Sequence, residues 1–164
     1  KIYFFIGNEP NSARQDLNLV EAIQRSGSSS HIVRHGMFGD PRSRIAAHHR
    51  EIDAALAKTD LRPTFFTQNV MAGIPTVTKM GQLYWAMDDA KLTMIDIRDI
   101  AECATTVLTT DDHEGKSSIL NGPTAVSFHD VASALSEAIG KEVTYINVPN
   151  EALVGSMTEM GSPE

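Results

Sequence analysis

Lys1-Ile-Tyr-Phe-Phe-Ile-Gly-Asn-Glu-Pro10 and His31-Ile-Val-Arg-His-Gly-Met-Phe-Gly-Asp-Pro41 decide the fold. Each opens on a short run rich in β-branched or aromatic residues, the pattern of a strand buried on both faces. Each run then breaks at a glycine-containing turn. Between them, Asn11 or Ser12 can cap a helix whose apolar residues Ala13, Leu17, Val20 and Ile23 fall on one face. Gly27 stands where such a helix ends, at the position just past the last turn. A second helix is expected from about Ser43 to Lys58, with Ile45, Ile52, Ala55 and Leu56 inward. Strand, helix, strand, helix in this order implies a parallel sheet with right-handed crossovers.

The rest of the chain continues the alternation with one irregularity. Thr59-Asp-Leu-Arg-Pro63 reads as a connector, because only Leu61 and Arg62 are left for a third strand before the proline. Gly81–Ala86 and Leu92–Ile95 are strand-like. Asp99, with Glu102 three residues on, is expected to cap a helix from Ile100 to about Leu108. Ser117–Leu120 reads as a strand closed by Asn121-Gly-Pro123. Ser127 opens a helix carrying Val131, Leu135 and Ile139 and stopped by Gly140. Glu142–Val148 is the last strand, and Asn150 to Met160 a final short helix.

Composition narrows the function classes. The chain has 164 residues, 41% hydrophobic and 21% charged, with a net charge of −7. Nucleic-acid binding needs clustered Lys and Arg to neutralise phosphates. Here the densest basic group is only Arg42, Arg44 and Arg50. A single cysteine, Cys103, excludes an intrachain disulfide, fits a reducing cytoplasmic compartment, and lies in an apolar helical stretch that suits a buried, inert thiol. No apolar run approaches the ~18 residues of a membrane span. The chain starts inside a core strand at Lys1, so upstream sequence is expected to belong with it. The strand Lys1–Ile6 should then expose an unpaired edge, which favours pairing with a second copy or poor solubility.

Several segments, in order, resemble the NmrA-like branch of the atypical short-chain dehydrogenase/reductases, including the NAD(P)H:quinone oxidoreductase-like members. Asn18–Gly27 resembles the helix after the fourth sheet strand, and His31–Arg34 the fifth strand. His49-Arg-Glu-Ile-Asp53 resembles a His-x-x-x-Glu helix, and Leu61-Arg-Pro-Thr-Phe-Phe-Thr-Gln-Asn69 a Leu-Arg-Pro…Asn segment. Ile95-Asp-Ile-Arg-Asp-Ile-Ala101 and Leu120-Asn-Gly-Pro123 match two further motifs. The resemblance implies the C-terminal part of a Rossmann-like parallel sheet with flanking helices and a small C-terminal substrate lobe. It divides the chain into a partial nucleotide-binding region, 1–72, and a C-terminal region, 73–164.

The same resemblance implies NADP or NAD as cofactor and a small-molecule substrate, a quinone or related carbonyl compound. Its alternatives are a dinucleotide sensor without turnover and a remnant with no independent activity. It assigns cofactor contacts to Gly7, Asn8, Pro63, Thr64, Phe65 and Asn69, and a catalytic role to His49. Each assignment competes with a plainer one. Gly7 and Asn8 suit an ordinary turn and helix cap, and Phe65 a core aromatic. His49 and Asp53, four apart on one helix, suit a surface pair contributing about 0.3–0.5 kcal/mol.

Three features depart from the family. No G-x-G-x-x-G or G-x-x-G-x-x-G string occurs, so the backbone cradle for a pyrophosphate is not in this sequence. Asp53 stands in place of Glu, and the segment before Leu-Arg-Pro is short. The 164 residues alone should therefore bind a dinucleotide weakly. No Tyr-x-x-x-Lys pair is present either, as Tyr3, Tyr84 and Tyr145 each lack a lysine four residues on.

Overall fold

The computed structural model describes residues 1–5, 12–27, 31–38, 49 and 59–159. The expected second helix, apart from His49, lies outside them, as do Gly7, Asn8 and Asp53. The chain forms two compact units: Lys1–Thr64 with Ile95–Asn121, and Phe65–Met94 with Gly122–Glu164.

The first unit is built on four parallel strands. They are β1 (Ile2–Phe5), β2 (Ile32–His35), β3 (Thr59–Pro63) and β7 (Ser117–Leu120), hydrogen-bonded in the order β1-β2-β3-β7. Ile2 faces Ile32, Val33 faces Thr59, and Asp60 faces Ser117. Neighbouring strand residues point to opposite faces, and both faces carry a core. Phe4, Val20 and Ile32 pack with Leu17 and Ile23 of helix α1 (Ser12–Arg25). On the other face Val33, Leu61, Ala104 and Val107 pack with Tyr3, Cys103, Leu108 and Leu120, four of these from helix α3 (Ile97–Thr109). This is the parallel sheet that the alternation of segments implied, and the Rossmann-like α/β arrangement that the family resemblance implied. Among the described residues β1 pairs with β2 alone, so it forms one margin of the sheet.

Two sequence expectations need correction. Thr59 and Asp60 are not a connector; they form the first half of a full central strand, β3. Their polar side chains hid it, and each has a partner in the interior. The Thr59 hydroxyl pairs with His31 Nε2 at 2.6 Å and donates to the His113 carbonyl, while Asp60 meets Arg34. Pro63 closes the strand where its missing N–H is tolerated. The second correction concerns α3, which begins three residues earlier than expected and is capped by Asp96, not Asp99. Asp96 is extended (φ −76°, ψ 139°), and its carboxylate accepts from the Arg98 amide at 2.8 Å. Asp99 falls in the first helical turn, where its charge favours the helix dipole. The Arg98 guanidinium donates back to Asp96 from the same turn, at 2.9 and 2.7 Å.

The second unit holds β4 (Phe65–Phe66), a 3₁₀ turn (Thr67–Gly73), α2 (Ile74–Met80), β5 (Gln82–Trp85), β6 (Leu92–Ile95, its last residue in the first unit), β8 (Ala125–Val126), α4 (Phe128–Ile139), β9 (Thr144–Asn147) and α5 (Asn150–Glu159). Parallel β5 and β9 form one small sheet, β4-β6-β8 another. Phe128 and Leu83, fully buried, centre a core with Val77, Ala132, Val143 and Tyr145. Trp85 stacks on Phe128 with ring centroids 5.0 Å apart. Gly122, in the Leu-Asn-Gly-Pro turn, passes so close to β6 that an added Cβ would stand 2.0 Å from the Met94 carbonyl oxygen. That contact explains why the motif holds glycine there.

Helix α4 starts with a reciprocal capping box. The Asp130 amide donates to Ser127 Oγ at 3.2 Å, and the Ser127 amide donates to Asp130 Oδ2 at 2.8 Å. Ser127→Ala is expected to lower the unfolding free energy by about 1 kcal/mol, read as a fall in the urea midpoint without a change in slope. An unchanged midpoint would remove the cap from the account of this helix.

Candidate functional site at the carboxyl edge of the sheet

All four strands of the first unit run the same way, so their carboxyl ends share one edge, the side on which open α/β sheets bind ligands. Backbone hydrogen bonds lace this edge together. The Gly36 amide donates to the Leu61 carbonyl at 2.7 Å, Phe38 to Pro63 at 3.3 Å, and Thr64 to Leu120 at 2.9 Å. Phe38 leaves half its surface exposed there. Lys1, at the opposite end of β1, donates to the Thr110 carbonyl at the C-terminus of α3. That helix therefore runs against the strands and brings its first turn, Asp96–Asp99, to the carboxyl edge.

Two polar groups flank β2, one on each face. On the α1 face lies Arg34, with no exposed surface, together with Asp60 at 7% and His49 at 8%. Arg34 Nη2 lies 2.5 Å from His49 Nδ1, and Arg34 Nη1 lies 3.6 Å from Asp60 Oδ1. Arginine can only donate, so His49 Nδ1 accepts and its ring proton sits on Nε2. Arg62 approaches Asp60 from the rim at 3.7 Å and donates to the Met37 carbonyl at 3.1 Å. Gly36 is required by this cluster, because a Cβ there would stand 2.2 Å from Asp60 Oδ1.

On the α3 face, Tyr3 Oη and His35 Nδ1 are 2.9 Å apart, their rings edge to face. Burial raises the Tyr3 phenol above its ordinary value. Burial first, and then the Arg34 charge, lowers the His35 imidazole. Both shifts favour neutral forms.

The residues singled out in the sequence are distributed as follows. Pro63 and Thr64 stand at the carboxyl edge of the first unit, and His49 is held in its buried polar cluster. Phe65 and Asn69 belong to the second unit. The Phe65 ring packs edge-on against Trp85 at 5.7 Å and Phe128 at 6.2 Å, and Asn69 is exposed on the 3₁₀ turn. Sequence reading missed Tyr3, Arg34, His35 and Asp60. The available signal was the run Arg34-His35 at the end of a core strand, where apolar residues are the rule. A depression at the opposite, amino edge is lined by His31, Asp111, Asp112, Glu114 and Lys116. Its acidic lining repels phosphates and makes it a poor dinucleotide site. Among the described residues no group of three metal-ligating side chains occurs, and no helix is long and apolar enough to cross a membrane.

A parallel sheet covered on both faces, with polar groups gathered at its carboxyl edge, defines the class of Rossmann-like nucleotide-binding proteins. The chain belongs to the NmrA-like family, whose model matches residues 2–162. It is 29% identical to the NAD(P)H azoreductase of Xenophilus azovorans over its whole length, which covers 60% of that protein. It is also 29% identical to quinone oxidoreductase 2 of Escherichia coli over 68% of this chain and 39% of that one. Among solved structures it matches the Escherichia coli NADPH-dependent quinone oxidoreductase in complex with NADPH. The TM-score is 0.86 at 25% identity, over 98% of this chain and 59% of that one. The Citrobacter triphenylmethane reductase complexed with NADP(H) gives a TM-score of 0.82 at 26% identity, over 99% and 60%. The chain thus spans about three-fifths of the azoreductase and of both structures.

Proposed function

We propose that the protein is an NAD(P)H-dependent oxidoreductase acting on a quinone or a related carbonyl compound. The observation that carries this reading is the gathering of Tyr3, Arg34, His35, His49 and Asp60 around the carboxyl end of β2. The relatives' reduced-nicotinamide chemistry supports it. When bound, such a cofactor supplies the hydride, and the protein's task is orientation and electrostatics.

In this reading Gly7, Asn8, Pro63 and Thr64 contact the nicotinamide side of the cofactor. Phe65 and Asn69 keep their family assignment as cofactor contacts, and the second unit acts as the substrate lobe. His49, with its proton fixed on Nε2 by Arg34, serves as a hydrogen-bond donor and not as a general base through Nδ1. One feature favours the second reading, a dinucleotide sensor without turnover: His49 is nearly buried and tied to an arginine, an arrangement that impedes proton exchange with a substrate.

Oxidation of NADPH in the presence of a soluble quinone, followed by loss of the reduced-nicotinamide absorbance, separates the two. In a chain carrying a family-type first βαβ unit upstream, His49→Ala should slow turnover about 10²-fold with cofactor affinity nearly unchanged. NADPH binding with no turnover of any quinone or aldehyde would favour the sensor.

A further inference from the structure

We propose that the flat ring of the substrate stacks on the exposed face of Phe38, which makes a planar quinone, rather than an aliphatic carbonyl compound, the preferred substrate class. The inference rests on the oxidoreductase reading and adds a specificity-determining residue that the family resemblance did not assign.

Phe38 follows the end of β2, and its amide donates to the carbonyl of Pro63, the last residue of β3. It therefore stands at the carboxyl edge, by the ends of the two central strands, where open α/β sheets receive their ligands. The segment that carries it is held at three successive residues. The Gly36 amide is bonded to Leu61, the Met37 carbonyl accepts from Arg62 Nε at 3.1 Å, and the Phe38 amide is bonded to Pro63. With its main chain held in this way, Phe38 still keeps 50% of its surface exposed. Among the described residues it is the one exposed phenylalanine, tyrosine or tryptophan, and no aromatic ring packs against it. Phe65, Trp85, Phe128 and Tyr145, by contrast, pack on one another. A lone apolar side chain on a loose loop is ordinary surface. A ring presented from a tethered segment at the ligand edge is a preorganised contact, because little of its freedom is left to lose on binding. With Pro63 against the nicotinamide in the proposed reading, Phe38 borders the place where the ring that takes the hydride must lie. A quinone ring is flat and electron-poor, and the face of a phenyl ring is electron-rich, so the two attract in an offset stack. An aliphatic carbonyl compound offers no such face.

The test has a kinetic arm and a binding arm. Both use dimethoxydimethylbenzoquinone, whose fully substituted ring gives Cys103 no position to add to. In a chain carrying a family-type first βαβ unit upstream, Phe38→Leu keeps the apolar bulk and loses the ring. It should raise KM for the quinone about tenfold, with kcat and KM for NADPH little changed. Phe38→Trp should restore most of the loss. An unchanged quinone KM in Phe38→Leu, a loss in Phe38→Trp as large as in Phe38→Leu, or turnover of butanal as efficient as that of the quinone overturns the proposal. So does a structural effect, seen as a lowered urea midpoint together with a changed KM for NADPH. The binding arm uses the 164-residue protein labelled with fluorophenylalanine, the Phe38 signal being assigned through Phe38→Leu. The quinone should move that signal, and NADP⁺ alone should move it less. An unmoved Phe38 signal up to millimolar quinone, or a full shift from NADP⁺ alone, also overturns it. A moved signal without turnover in the extended chain would sink the oxidoreductase reading and leave Phe38 as a ring contact. Turnover with an unchanged quinone KM in Phe38→Leu would sink this proposal and leave that reading standing.

Discussion

Arg34→Met is expected to lower the unfolding free energy by about 3–5 kcal/mol, a large share of the stability of an ordinary domain. Arg34 has no exposed surface, and its partners Asp60 and His49 are 7% and 8% exposed. Removing the guanidinium strands the Asp60 carboxylate in the interior, 3.7 Å from Arg62 at the rim. It also takes the donor from His49 Nδ1. The penalty is mainly that of a buried charge deprived of its enclosed counter-ion and not the net value of the pair. The double variant Arg34→Met/Asp60→Leu should therefore be more stable than Arg34→Met alone. Urea unfolding of the wild type, both single variants and the double variant closes the cycle. A single-variant loss below about 1 kcal/mol, within the range of surface pairs, would mean the cluster is hydrated and does not hold β2 and β3 in register.

The same cluster shows where sequence reading succeeds and where it stops. Helix α4 was legible end to end, since Ser127, Asp130 and Gly140 are local signals that act within one turn. Strands β1 and β2 were legible because Ile2, Phe4, Ile32 and Val33 are apolar on both faces. Strand β3 was not, because Thr59 and Asp60 are polar residues buried by virtue of partners far along the chain. His31 is 28 residues from Thr59, and Arg34 is 26 from Asp60 by their numbering. The cap of α3 failed for a different reason. Asp96 and Asp99 are equally good caps by residue type, and only the backbone of Asp96 settles between them. Of the buried polar cluster, His49 alone was singled out through its motif. Tyr3 and His35 were missed because their pairing depends on the β1–β2 register, Phe5 opposite His35, which no local pattern encodes.

The 164-residue chain should bind NADPH and NADH no more tightly than about millimolar, and a chain carrying a family-type first βαβ unit upstream should bind at least 10³-fold more tightly. Millimolar affinity corresponds to about −4 kcal/mol and micromolar affinity to about −8. The nicotinamide end of a site built around Pro63 and Thr64 offers a few hydrogen bonds and one apolar surface, enough for the first figure. The second needs a pyrophosphate held by amides at a helix N-terminus, with glycines that let the backbone close on it. The sequence contains no such string, and its net charge of −7 opposes a polyanion. The cationic groups near the edge do not make up the difference. Arg34 is enclosed and committed to Asp60 and His49, and Arg62 shares Asp60 and donates to the Met37 carbonyl. Titration calorimetry of both nucleotides against both chains is the measurement. Micromolar binding by the 164 residues alone would require a phosphate site of another kind, and Gly36-Met-Phe-Gly39, which follows β2 in the sequence, is where Gly39→Ala should then abolish it.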